Sequence, residues 1–568
     1  MKRVILVLAL AALAVFAFAG GDGEGAAGEG PALNPPGTYP VVNEPYSFTA
    51  VAYYSSSTST GNPDDVWFAD YIADLTGIRV DFLEMIEANN AQERFNLILA
   101  SGDLPELLIP HGTLTAQQVF THGRNGTFLA LNDLIDARMP EYKQRLEEEP
   151  EVADRLTMPD GNIYSTVDLE ANCFHCQYSV KMWLYKPWVD KLGLDWPETT
   201  EDFYNVLKAF KEQDPNGNGK ADEVPLIGAT TSWRTDPFGF LMNSFVYTVM
   251  PQHLNNYGSF LERDGDKVRF VADTPEWREG LKYMHRLASE GLLAEETFVW
   301  RREETRQLVE NPDAEMVGAY PSGWFGVLTI NGAGTGRFAG FKAVAPLTGP
   351  DGTKQASFFP FSMRYQAEIT NQARHPQVIA QYLDYFHQSD PEVQQIVGGR
   401  REGIEWRYLT PEELQMGLVG RDGTPATMKN LKALPFGTEL HETGWPRTAP
   451  GRWSRYAYSA LDPEWADDPS KQEYHLMVWT RDLMQPYRVE KHMTPDLVFE
   501  GAVEDELVDL QELITSATGL VMQRSTQFVL GELDIHSDAD WNNYVAELER
   551  AGAKRYEEIW QETLLANM

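Results

Sequence analysis

From Tyr46 onward the apolar positions switch between a two-residue period and a helical one. Tyr46, Phe48 and Ala50 alternate with polar neighbours, which predicts a half-buried strand running into the polar turn 55–62. Phe68, Tyr71, Ile72 and Leu75 recur at helical spacing, and Gly77 supplies a stop signal. Ile78, Val80 and Phe82 alternate as a second strand, and Ala91, Phe95, Ile98 and Leu99 form a second helical stripe. Leu107, Leu108 and Ile109 read as a short buried strand. Strands and helices in strict alternation predict a doubly wound α/β lobe with a mainly parallel sheet. Ligands sit beyond the carboxyl ends of such strands, so Tyr53 and His111, in the loops that follow two of them, are the first candidate site residues.

The same style returns further on. Thr199 and Asp202 stand at capping-box spacing, ahead of a buried stripe of Phe203, Val206, Leu207 and Phe210. Two more stripes close the chain: Trp541, Tyr544, Val545 and Leu548, then Tyr556, Ile559, Trp560 and Leu564, with Gly552 as the break. No short repeat is present, which argues against solenoids and propellers. A chain of 568 residues exceeds one compact core, so two or three lobes are expected.

The first apolar run, Val4 to Phe18, follows Lys2 and Arg3 and ends in Ala17-Phe18-Ala19, the layout of a cleaved signal peptide over residues 1–19. Gly21 stands where a lipid-accepting cysteine would have to be, so the expectation is a soluble exported protein with no membrane anchor. Residues 20–40 are rich in Gly, Glu, Ala and Pro and read as a disordered leader. The formal charge is −37, from 84 acidic and 47 basic residues. Such a field repels nucleic acid and anionic membranes, which excludes the classes that bind phosphate through Lys and Arg. Trp (15), Tyr (24) and Phe (27) are abundant enough to supply both a large core and flat platforms for sugar rings.

Cys173 and Cys176 are the only cysteines, separated by Phe174 and His175. An oxidising compartment favours a local disulfide between them. A redox site would need the pair to open a helix after a strand, whereas here it precedes the strand-like 178–185. With His175 the pair offers three zinc ligands and lacks a fourth.

The sharpest motif is the segment 214–223. Asp214, Asn216, Asn218 and Asp222 place oxygen side chains at positions 1, 3, 5 and 9 of a calcium loop, and Gly219 sits at the sharp turn. Lys220 offers its carbonyl at position 7. Pro225 replaces the bidentate Glu at position 12, and Glu223 is the candidate substitute. A strand-like exit, 224–227, favours a structural clip over a sensor-type helix pair.

These segments, taken in order, resemble a known family. Ser101–Glu106 (SGDLPE), Asp160–Tyr164 (DGNIY), Trp183–Leu194 (WLYKPWVDKLGL), the calcium loop, Gly403–Tyr408 (GIEWRY) and the tail Trp541–Leu565 are similar to family 1 extracellular solute-binding proteins, in the lipoprotein and alginate-binding branch. The resemblance implies two α/β lobes of the periplasmic-binding-protein type, joined by hinge strands and closing on a ligand cleft. It implies lobes made of 41–166 with 316–362 and of 167–315 with 363–568, with crossings near 165–170, 316–320 and 361–368. Thr230–Trp233, Tyr320–Phe325 and Arg401–Trp406 would then face the cleft. Trp233, Trp324 and Trp406 become the stacking platforms in that order, and Arg234, Glu402 and Glu170 the hydrogen-bonding partners. The resemblance also implies structural calcium on Asp214, Asn216, Asn218, Lys220, Asp222 and Glu223. The implied function is capture of an oligosaccharide in the periplasm by a monomer that delivers it to the membrane permease of an ABC importer.

A secreted hydrolase is the competing class. It needs two carboxylates flanking a scissile bond, and no acidic pair stands out among 84; Gly-x-Ser-x-Gly, His-Glu-x-x-His and P-loop motifs are absent. A peptide-binding or sensory receptor would share the fold and the export signal.

Overall fold

The computed structural model describes residues 30–54, 61–63, 66–171, 177–230, 233–250, 258–329, 336–359, 362–420, 425–431, 452–455, 459–460, 473–491, 493 and 504–566. The expected signal peptide, residues 20–29 of the leader, and Cys173, His175 and Cys176 lie outside these residues. The rest of the expected disordered leader, 30–40, is instead held to the fold, with Asn34 N donating to Val41 O at 2.9 Å and Gln381 Nε2 to Asn34 O at 3.1 Å.

The first lobe is built as the periodicity predicts. Strands β1 (Tyr46–Tyr54), β2 (Ile78–Glu87) and β3 (Leu107–Ile109) run parallel, with β1 in the middle, and the helices α1 (Trp67–Thr76) and α2 (Ala91–Ser101) connect them. Helix α1 stops at Gly77, whose φ of 75° and whose approach to the Val42 carbonyl oxygen leave no room for a Cβ. Helices α3 (Ala116–Arg124), α4 (Asn132–Arg138), α5 (Pro140–Glu148) and α6 (Pro150–Leu156) complete this stretch. Strand β4 (Val167–Ala171) then leads out of the lobe.

The second lobe holds a sheet in the order β10-β5-β9-β6, made of β5 (Met182–Tyr185), β6 (Val224–Leu226), β9 (Val317–Pro321) and β10 (Phe341–Val344). Helices α7 (Lys186–Leu192) and α8 (Thr200–Glu212) follow β5. The capping box of α8 is formed: Asp202 N donates to Thr199 Oγ1 at 3.0 Å and Thr199 N to Asp202 Oδ2 at 3.0 Å. The hairpin β7 (Leu261–Asp264) and β8 (Lys267–Phe270) and helix α9 (Pro275–Ser289) lie beyond β6. Between β10 and the hinge lies the short β11 (Ala356–Ser357).

Strand β12 (Ser362–Tyr365) pairs antiparallel with β4, and β13 (Glu368–Ile369) then joins β3 in the first sheet, with Glu368 opposite Leu108. The next helix, α10 (Pro376–Asp384), packs on α4. The small sheet of β14 (Trp406–Tyr408) and β15 (Met428–Asn430) follows, and β16 (Arg452–Arg455) lies parallel to β4 on its other side. The tail helices α11 (Glu504–Leu530), α12 (Asp538–Arg550) and α13 (Ala553–Ala566) return to the second lobe, where α11 packs on α9 and α13 on β8.

This topology corrects the expected lobe boundaries. Residues 316–362 do not belong to the first lobe: β9 is buried along its whole length between β5 and β6, with Tyr320 opposite Trp183. A strand with both faces covered reads as a continuous apolar run, and Val317–Pro321 is that run, not a crossing. Residues 366–384 correspondingly belong to the first lobe, through β13 and α10.

Candidate functional site

The carboxyl edges of the two sheets are joined by β4 and β12, so the loops that leave those edges flank the hinge. On the first-lobe side, Tyr53 ends β1 and His111 follows β3, with ring centroids 5.0 Å apart. His111 takes a φ of 49° in this turn. Its Nδ1 lies 2.9 Å from Gln366 Oε1 and 3.8 Å from Asp168 Oδ2. Asp168 is buried on β4 and accepts a 2.7 Å hydrogen bond from Arg364 Nη1 on β12. Beside it, Ser165 Oγ donates to Glu368 Oε1 at 2.7 Å, and burial pushes the Glu368 carboxyl up to about 8. Sequence reasoning brought Tyr53 and His111 to this place but missed Asp168, Arg364 and Gln366. Asp168 and Arg364 sit in hinge strands, where a charge looks like any exposed strand residue, and Gln366 lies in the link just after β12.

On the second-lobe side, the Ser322–Trp324 turn leaves β9 and Trp233 follows β6. The ring of Trp233 lies against Gly323, where a Cβ would come within 2.5 Å of its benzo edge. The indole is nevertheless 41% exposed, a flat apolar face held on a backbone platform. Trp324, by contrast, is buried against Gly326. Two buried donors fix the turn: Lys181 Nζ donates to Gly323 O at 2.7 Å, and Trp183 Nε1 to Ser322 O at 2.9 Å. Ser322 Oγ adds a 2.6 Å bond to Trp324 O. Burial, and then the neighbouring Arg234 charge, pull the Lys181 ammonium well below its usual value. Arg234 is buried with a φ of 57°, its guanidinium 4.6 Å from the Phe359 ring centroid. Burial lowers its pKa too, yet a guanidinium starts so high that it stays protonated at neutral pH.

Three expected cleft residues are placed elsewhere or not described. Trp406 is fully buried, with Nε1 donating to Arg400 O at 3.3 Å and its ring edge-on to Tyr408. As a platform it is withdrawn, because it is the core of the β14–β15 sheet and has no open face. Glu402 is exposed and bridges backbone to backbone with Trp406. Glu170 lies on β4 opposite Ser362, and its side chain is outside the described residues.

The 214–223 loop folds around its own side chains. Asp214 Oδ1 accepts from Gly217 N (2.9 Å) and Asn218 N (3.1 Å), and its Oδ2 from Gly219 N (3.0 Å). Asn216 Oδ1 accepts from Asn218 N, and Asn218 Oδ1 from Lys220 N. The side-chain amides of Asn216 and Asn218 point at Asp222 and hold its carboxylate below the usual range. Among the described residues no trio of His, Cys, Asp or Glu is gathered into a cage, so a metal here would depend on amide and carbonyl oxygens as well. The donor set fits that demand. Glu223 Oε1 is buried without a hydrogen-bond partner among the described residues, and burial followed by the Asp214 and Asp222 charges raises its pKa. A carboxylate oxygen left without a hydrogen-bond partner among the described residues, in a loop rich in carboxylate, amide and carbonyl oxygens, is what a hard cation would complete.

The profile of the bacterial extracellular solute-binding protein family matches residues 54–388, more than half of the chain. The chain belongs to that family. Of the relatives of this solute-binding protein, the fructooligosaccharide ABC transporter substrate-binding protein FusA of Streptococcus pneumoniae is 33% identical over 307 residues, 50% of this chain and 55% of FusA. The chain thus matches about half the length of that relative. Its fold is also that of the FusA structure in complex with kestose, at TM-score 0.72 and 23% identity, covering 92% of this chain and 100% of that one. An EF-hand mutant of FusA in complex with fructo-nystose superposes at TM-score 0.68 and 22% identity, with the same coverage. These matched proteins are solute-binding proteins, not enzymes, and the two-lobe α/β architecture expected from the sequence is the one this solute-binding protein has. Among its described residues no helix is long and apolar enough to cross a membrane.

Proposed function

We propose that the protein captures an oligosaccharide between its lobes outside the cytoplasm and delivers it, as a monomer, to the permease of an ABC importer. The observation that carries this reading is Trp233. It is a half-open indole fixed on Gly323 at the carboxyl edge of the second sheet, beside the buried Arg234 guanidinium and the buried Lys181 side chain. Apolar sugar faces stack on such a ring, while hydroxyls take directed hydrogen bonds. Tyr53 and His111 complete the proposed lining, with Arg234 and, from the hinge strand, Glu170, while the buried Trp324 backs the turn that carries Gly323. Ligand contacts from both edges favour the closed arrangement over the open one.

Calcium is the proposed resident ion of the 214–223 loop, held by Asp214, Asn216, Asn218, Asp222, Glu223 and the Lys220 carbonyl. When bound it would supply a fixed charge that ties the end of α8 to the start of β6. The kinship with FusA supports both parts, since FusA binds fructooligosaccharides and has an EF-hand. The test is calorimetric titration with kestose, longer fructooligosaccharides and an oligogalacturonate, with small-angle scattering on the same samples. Micromolar or tighter binding with a fall in the radius of gyration is expected. Binding of peptides, with no response to any saccharide, would refute the reading.

A further inference from the structure

Lys191 lies in the last turn of α7, and its side chain leaves the helix to reach under the 214–223 loop. Its Nζ donates to Pro215 O at 2.6 Å. The same nitrogen lies 2.9 Å from where a Cβ on Gly217 would stand. Gly217 also has a φ of 75°, and this left-handed backbone is what keeps that position a glycine. A full positive charge is therefore seated against the backbone of a loop whose side chains are built to surround a cation.

We infer that Lys191 acts on this loop through its charge, steadying the metal-free form and limiting how tightly a divalent cation binds. The inference rests on the calcium reading of the loop. Its direction follows from two contributions that point the same way. The loop's shape does not depend on Lys191, because Asp214, Asn216 and Asn218 already accept hydrogen bonds from four of its backbone N–H groups, those of Gly217, Asn218, Gly219 and Lys220. What the ammonium adds is charge: seated at the Pro215 carbonyl, between Asp214 and Asn216 in the chain, it offsets the loop's carboxylates when no metal is present and repels a divalent ion when one arrives. Lys220, the other basic residue of the segment, projects from the loop itself and already lowers Asp222; Lys191 differs in being anchored from another helix.

The test uses the full chain with Lys191→Met, which keeps the aliphatic stem and removes the charge, and Lys191→Gln as a second variant in case the first folds poorly. Calcium chloride is titrated calorimetrically into chelator-treated protein, and the melting temperature is read with calcium and with EDTA. Screened unit charges a few Å apart predict calcium affinity about threefold to tenfold higher in the variants. A lower melting temperature in EDTA and a wider gap between the calcium and EDTA values should accompany it, and Lys191→Arg should behave as the unaltered protein does. The gain in affinity should shrink as potassium chloride is raised. Unaltered affinity and an unaltered gap in both variants would overturn the inference while leaving the calcium loop intact. Weaker calcium binding would also overturn it, by showing that Lys191 helps assemble the site. If the unaltered protein bound no calcium at all, the calcium reading itself would fall, and the inference with it.

Discussion

Replacing Trp233 with Ala removes the most open of the rings described in the proposed site. A Trp side chain offers up to about 250 Å² of surface, and 41% exposure leaves about 100 Å² of it to solvent. A pyranose or furanose ring lying flat on that face would cover about half, and about 50 Å² at about 25 cal/mol per Å² is about 1.3 kcal/mol. Directional stacking adds about 0.5–1.5 kcal/mol. Together these come to about 2–3 kcal/mol, or a loss of affinity of roughly 30- to 150-fold. The fold should hardly notice, because the ring packs on the Gly323 backbone and faces water. Calorimetric titration of the best-binding saccharide, paired with a melting curve, separates the two effects. An affinity loss under about threefold, for every saccharide that the unaltered protein binds, would refute the assignment of Trp233 as the platform.

Gly323→Ala should reproduce part of that loss without touching Trp233, since a methyl group 2.5 Å from the ring must push it aside; unchanged affinity would mean that the ring has a second seat. Glu368→Gln should stabilise the protein increasingly as pH rises. The folded carboxyl keeps its proton up to about 8, whereas the unfolded chain releases it near the ordinary carboxylate value, so between those limits raising the pH favours unfolding. The melting-temperature difference between variant and parent should therefore be small near pH 4 and largest at pH 8 and above, and a flat difference would contradict the burial argument. Chelation with EDTA should lower the melting temperature by several degrees if Glu223 Oε1 is completed by a cation; an identical melting curve would count against calcium.

Much of the architecture was legible because periodicity reports which face of an element is covered. Phe68, Ile72, Phe95 and Ile98 are buried on α1 and α2 as their spacing predicts, and Trp541, Tyr544, Tyr556 and Trp560 do the same in the tail. The lobe boundaries were less legible, for β9 and the hinge strands carry the same kind of extended pattern. Only pairing distinguishes Val317–Pro321, enclosed by two neighbours in the second sheet, from Val167–Ala171, which leads out of the first lobe. Within the site, sequence could find rings but not which side of a ring stays open. Trp233 and Trp406 look alike as letters; one rests on a glycine at an edge and the other is enclosed by its own small sheet. Lys181 was invisible for the opposite reason, as a lone charge next to an apolar strand gives no hint that its ammonium fixes the turn below Trp233.

The hinge has a mechanical consequence. Strand β4 is not one of a lone pair but the middle of three, with β12 on one side and β16 on the other. A ribbon three strands wide flexes readily across its thin dimension but resists shear in its own plane, since sliding any strand would break a row of ladder bonds. If the lobes close on a ligand as proposed, such a ribbon confines their motion to something close to a single angular coordinate. In the proposed capture, the face of Trp233 would then approach Tyr53 and His111 along one path and at one attitude. Selectivity for a ligand's thickness is then set by geometry, in the way that a door on one axle admits only what fits the angle at which it stops.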